Sequence, residues 1–250
     1  MGNGGNTPVQ RLVIRECRFR NLMADAVNFC NGTSYSTVEW THVRYSGDDG
    51  LATWSVNTDP ACVENRFSNN WVSLPWLANG IALYGGQNHQ VIGNLISDTV
   101  HTGSGIYLSA NFKAAPFTGT HLIEGNTLLR TGTALSDQGG AAGGLRLLAW
   151  DKDIDQATIH LRNNTIRDSV RSGISIGGPR KIANVLFEGN QILNPGASGL
   201  ELKERSQGTV LFKNNTLEGG TRGISDRSGR KLVVTWEGIN YGFIANGRSP

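Results

Sequence analysis

No stretch of this chain approaches the run of about 18 apolar residues that carries a helix across a bilayer, so no membrane partner is expected. Charge is also sparse: 17% of residues are charged, and the net charge is only +3. The basic residues are dispersed, which argues against a nucleic-acid partner, since that would need a clustered basic face. Three cysteines, Cys17, Cys30 and Cys62, allow at most one disulfide, and none has the CxxC spacing of a metal or redox site. The opening "MGNGGNTP" has no apolar signal region; residues 1–8 read as a fragment end, outside the fold. It begins Met-Gly, but Asn6 stands where a myristoylation signal has Ser or Thr.

What the chain has in abundance is glycine, 33 residues, together with asparagine and short apolar pairs. That mixture predicts many tight turns between short strands. Two patterns return along its whole length. Gly-apolar-x-apolar occurs as "DGLAT" at 49, "NGIAL" at 79, "SGIYL" at 104, "GGLRL" at 143, "SGISI" at 172 and "SGLEL" at 198. "DAVNF" at 25 and "RGISD" at 222 are degenerate end copies. Apolar-x-x-Asn-x-apolar alternates with it: "CVENRF" at 62, "VIGNLI" at 91, "IEGNTL" at 123, "LRNNTI" at 161, "FEGNQI" at 187 and "FKNNTL" at 212.

Successive copies of the first pattern lie 24, 30, 25, 39, 29, 26 and 24 residues apart. A coiled coil tolerates no such drift in register, whereas a solenoid absorbs it in loops. Apolar residues separated by one position are strand alternation. The sequence therefore predicts an all-β fold: a single right-handed parallel β-helix domain over residues 1–250, with about eight or nine coils. Asn65, Asn94, Asn126, Asn164, Asn190 and Asn215 are expected to form one ladder of side-chain amides, in the left-handed conformation of a sharp corner.

Alignment by the first pattern places Asp25, Asp49, Asn79, Ser104, Gly143, Ser172 and Ser198 in one column. Asp25 and Asp49 then occupy adjacent rungs, about 4.8 Å apart, with Asp48 beside them. Three like charges this close raise at least one carboxyl pKa and suit acid/base chemistry. A turn rich in Asp, or a calcium ion held by the three carboxylates, are the alternative readings.

Asp25 before "AVNF", then "GDDGLATWS" at 47, then "LPWLANGIALYGG" at 74 resemble family 87 of the glycoside hydrolases, which contains α-1,3-glucanases and mycodextranases. The resemblance runs from Asp25 to Gly86; more distantly, the acid arrangement is similar to that of polygalacturonases. Both families are β-helices that hydrolyse with inversion. The resemblance implies Asp48 as general acid, with Asp25 and Asp49 activating water, no cofactor and no catalytic metal. Polygalacturonases carry a His and then Arg-x-Lys on the rungs following the Asp pair, where this chain has Asn79 and Tyr107-Leu108-Ser109. A neutral α-glucan, α-1,3-glucan or nigeran, is thus the expected partner of a monomeric enzyme secreted in its parent form. A non-catalytic carbohydrate-binding β-helix is the alternative.

Middle residues of the first pattern, Asn28, Ala52, Ala82, Tyr107, Arg146, Ser175 and Glu201, are expected to face outward beside the acids. Ala52 and Ala82 would leave room there for sugar. Asn28, Trp54, Trp76, Asn79, Tyr84 and Tyr107 are the expected substrate-binding residues, since aromatic faces stack on sugars and polar groups fix hydroxyls. Trp71 lies in the same coils, and Trp40 is assigned to the core. His89 and His101 are placed in turns, with no catalytic role. The insertions at Thr131–Gly144 and Ala149–Gln156 are the longest.

Overall fold

The computed structural model describes residues 7–133 and 141–243, and these form a parallel β-helix built only of strands. Each coil contributes short strands to three sheets of ten, eight and eight strands. The first sheet begins at Val13–Arg15, the second at Arg18–Arg20 and the third at Val27–Cys30. Of the expected insertion at Thr131–Gly144, residues 134–140 lie outside the described residues, as do residues 1–6.

All eight copies of the Gly-apolar-x-apolar pattern are in register in the third sheet. Val27, Leu51, Ile81, Ile106, Leu145, Ile174, Leu200 and Ile224 pair in sequence from coil to coil. The glycine is needed because coils approach closely: a Cβ on Gly50 would lie 2.4 Å from Val72 Cγ1 and 2.6 Å from the Gly80 carbonyl. Inward-facing residues stack in columns such as Val38, Phe67, Val91, Ile123, Leu161, Phe187 and Phe212, all buried in one continuous core.

The asparagine ladder is present, with one rung corrected. Asn70, Asn94, Asn126, Asn164, Asn190, Asn215 and Asn240 are linked, each backbone N–H and side-chain amide donating to the next Oδ1 at 2.9–3.0 Å. Asn65 stands instead at another corner, in a column with His89 and His121. The left-handed corner position is also not the ladder asparagine but the residue before it, such as Asn69, Asn163 and Asn214 at φ 54°, 55° and 53°. Trp40 occupies that position in its own coil, at φ 52°. Its side chain turns outward and is 62% exposed, so it is not a core residue. The three cysteines are free thiols.

Candidate active site

The three acids converge. Asp25 and Asp49 precede adjacent strands of the third sheet, Val27–Cys30 and Leu51–Trp54, and the Asp49 backbone N–H donates to Asp25 Oδ1 at 2.9 Å. Asp48 lies on the same side, and one carboxylate oxygen from each acid falls within 4.8 Å of the others.

Their surroundings differ sharply. Asp49 is buried; its Oδ1 accepts from the Asn79 backbone N–H at 2.8 Å and the Asn79 side-chain amide at 2.9 Å, and its Oδ2 accepts from the Tyr84 hydroxyl at 2.9 Å. Burial, and then the charge of Asp25, push its pKa up to about 7 despite those donors. Asp25 is half-buried and accepts from the Asn28 side-chain amide at 2.7 Å. Burial raises its pKa, and the charge of Asp48 adds to the shift. Asp48 is exposed, and among the described residues its carboxylate accepts no hydrogen bond. Two acids are thus held by hydrogen bonds, and the third is exposed.

A cleft of about 660 Å³ opens over this group. Leu77, Ala78, Thr102 and Gly103, from the turns that enter the strands, form one side. Trp54, Tyr84, Phe112 and Lys113, at and beyond the strand ends, form the other. Asn28 and Asn79 lie between, beside the acids. Of the expected substrate-binding residues, Asn28, Trp54, Asn79 and Tyr84 line the cleft.

Tyr107 does not. It is 2% exposed, edge-on to the Tyr84 ring at 5.8 Å, with the Arg146 guanidinium 5.1 Å over its own ring. Ala52 and Ala82 do face away from the main core, but both are covered by this second apolar cluster. Their small size makes room for tyrosine rings, not for sugar. Trp76 stands outside the cleft, half-exposed and stacked 6.2 Å from His101, while its neighbour Leu77 turns in. Trp71 faces outward on the second sheet, stacked on His42 at 4.2 Å. His89, expected in a turn, is fully buried against His121, and burial holds its pKa well below the ordinary value.

Sequence reasoning missed Phe112 and Lys113. They belong to a loop that doubles back, its Ala114 bridging Val56 in antiparallel fashion. Lys113 brings a basic residue to the lining of a cleft that the repeat pattern left without one.

The α-1,3-glucanase catalytic domain D2 family matches residues 8–245. The chain belongs to this family. The catalytic unit of a thermostable GH87 α-1,3-glucanase from Streptomyces thermodiastaticus strain HF3-3 is 32% identical and superposes with a TM-score of 0.88, covering 95% of this chain and 45% of that one. The catalytic domain of Agl-KA is 31% identical with a TM-score of 0.83, covering 92% of this chain and 42% of that one. A GH87 α-1,3-glucanase catalytic domain in complex with nigerose has the same fold at 21% identity and a TM-score of 0.73, over 93% of this chain and 48% of that one. This family member therefore spans less than half the length of those structures. Among curated proteins none matches its sequence.

Proposed function

We propose that the chain hydrolyses α-1,3-glucosidic bonds in a neutral α-glucan, with Asp25, Asp48 and Asp49 as its acid/base centre. The observation that carries this is the convergence of the three acids in one cleft of a chain belonging to the α-1,3-glucanase catalytic domain family. Related structures with nigerose or tetrasaccharides include variants with single aspartates replaced by alanine. Those aspartates are spaced 23 and 1 residues apart, which is the spacing here, 48 − 25 = 23 and 49 − 48 = 1.

Asp48, exposed to the cleft, protonates the leaving glycosidic oxygen. Asp25 and Asp49, both fixed, hold the attacking water and take its proton. A base with pKa near 7 accepts that proton far more readily than an ordinary carboxylate does at neutral pH. Inverting hydrolases keep their carboxyl groups roughly 6.5–9.5 Å apart. The nearest oxygens here are closer, within 4.8 Å, so admitting water and sugar falls to rotation of Asp48. The enzyme acts as a monomer, and a polymeric substrate supports secretion of the parent protein.

The closeness of the carboxylates also favours a second reading, a cation site. Against it, the buried Asp49 carboxylate already accepts three hydrogen bonds, from the Asn79 N–H, the Asn79 amide and the Tyr84 hydroxyl, so it has little left to offer a hard cation. Reducing-sugar release from α-1,3-glucan, nigeran, dextran and polygalacturonate tests the proposal. Cleavage of the first or second is expected; cleavage of polygalacturonate alone, or of none, would overturn it.

A further inference from the structure

We propose that Phe112 is a specificity-determining residue, an aromatic platform on which a glucosyl ring of the substrate stacks beside the three acids. This rests on the glucanase reading above and names a residue on which no part of the repeat pattern falls.

Phe112 is apolar yet 42% exposed, and it lines the cleft. Exposed phenylalanines are ordinarily unremarkable when they sit on loose loops. This one belongs to a loop held by hydrogen bonds to two other segments, residues 54–57 and Asp151. Its carbonyl accepts from Trp54 Nε1 at 3.1 Å, and its N–H donates to Asn111 Oδ1 at 2.7 Å. The carbonyl of Lys113 accepts from the Asn57 N–H at 2.8 Å, and the Lys113 N–H donates to Asp151 Oδ2 at 3.3 Å. Ala115 N–H donates to the Ser55 carbonyl at 2.7 Å. Phe112 and Lys113 are two successive non-glycine residues in the left-handed region, φ 56° and 57°. That conformation is sparsely populated by such residues and persists only where the surroundings over-determine it.

The loop therefore presents the ring at a fixed place, facing the cleft instead of the core. Its neighbour Tyr84, 5.5 Å away edge-on, is the residue that donates to Asp49. A platform here lies one tyrosine away from the buried acid. The flat apolar face of a neutral pyranose is the surface that an aromatic ring recognises. Covering Tyr84 alone would be served equally by leucine, and that difference makes the inference testable.

The experiment compares the unchanged protein with Phe112→Leu and Phe112→Trp on a reduced series of α-1,3-linked oligosaccharides, with melting temperature measured for each. Phe112→Leu is expected to raise KM about five- to tenfold with kcat little changed, as fits a lost aromatic contact. Phe112→Trp should bring KM back to within about twofold of the original. An unaltered KM in Phe112→Leu would overturn the inference, and so would a rise shared by Phe112→Trp together with a common fall in melting temperature. No cleavage by the unchanged protein would remove the functional reading itself. Cleavage with an indifferent Phe112 removes only this inference.

Discussion

Tyr84 turns its ring back along the outer face of the third sheet and donates its hydroxyl to Asp49 Oδ2, one coil earlier, at 2.9 Å. Tyr107 packs edge-on behind it, and Ala52 and Ala82 lie covered beneath. The donor favours the charged form of Asp49, so its removal must push that pKa further up. Tyr84→Phe should therefore move the acidic limb of the kcat/KM profile to higher pH. A hydrogen bond to a charged group is worth about 1.5–3 kcal/mol, so a loss of at least tenfold is expected at neutral pH. An unmoved limb would leave Tyr84 as mere packing.

The three acids should respond differently to substitution. Asp48→Asn removes the proton donor, and positioned acid catalysis is typically worth about 10²–10⁴-fold. That loss should shrink for a glucoside with an activated leaving group, which needs little protonation. Asp25→Asn and Asp49→Asn should show no such rescue. Their double variant should lose less than the product of the two singles, because groups acting as one unit are not additive. Single-turnover rates on activated and unactivated substrates separate these cases.

Asp49 also sets a stability prediction. Its folded pKa, about 7, lies above the unfolded value of 3.8. Its stabilising contribution is thus complete below pH 3.8 and is lost as pH rises through about 7. Asp49→Asn should melt at an equal or higher temperature than the original at pH 8, by about 2–4 °C for each kcal/mol of repulsion relieved. A clear fall would point to a structural or cation-holding cluster.

The buried histidines act with the opposite sign. Burial lowers the pKa of His121 to about 4 and that of His89 well below the ordinary 6.5. Their contribution is present above pH 6.5 and is lost as pH falls towards 4. His89→Asn puts an asparagine directly above Asn65 in the same column. Urea midpoints at pH 7 and pH 4.5 should therefore differ less in His89→Asn than in the original.

The ladder gives the clearest purely structural test. Asn164 Oδ1 accepts from both the backbone and side chain of Asn126, and its amide donates to the Ile123 carbonyl and to Asn190. Asn164→Ala leaves buried donors without partners, at about 1–3 kcal/mol each. Thermal unfolding should show a loss of several degrees without any change in pH profile.

How far these features were legible depended on whether the repeat carried them. Asp25 and Asp49 were found because strand register is fixed by the Gly-apolar-x-apolar copies, and all eight of those are in register. Asn65 was misassigned because "CVENRF" and "FSNNWV" both fit the ladder pattern five residues apart, and only coil-to-coil pairing selects Asn70. Tyr107 was placed outside because alternation does give it an outward direction, but not the second apolar layer that covers it. Phe112 and Lys113 were invisible for a different reason. Their loop owes its path to hydrogen bonds donated by Trp54 and Asn57 and accepted by Asp151, on coils distant in sequence.

The most direct test of the acid/base account is to follow hydrolysis of a soluble α-1,3-glucan oligosaccharide by proton NMR as the first product anomer appears. The account predicts that the β-anomer forms first, with Asp48 donating the proton and the Asp25–Asp49 pair delivering water to the opposite face, and that Asp48→Asn abolishes the signal. Initial release of the α-anomer, or unchanged release by Asp48→Asn, would contradict it.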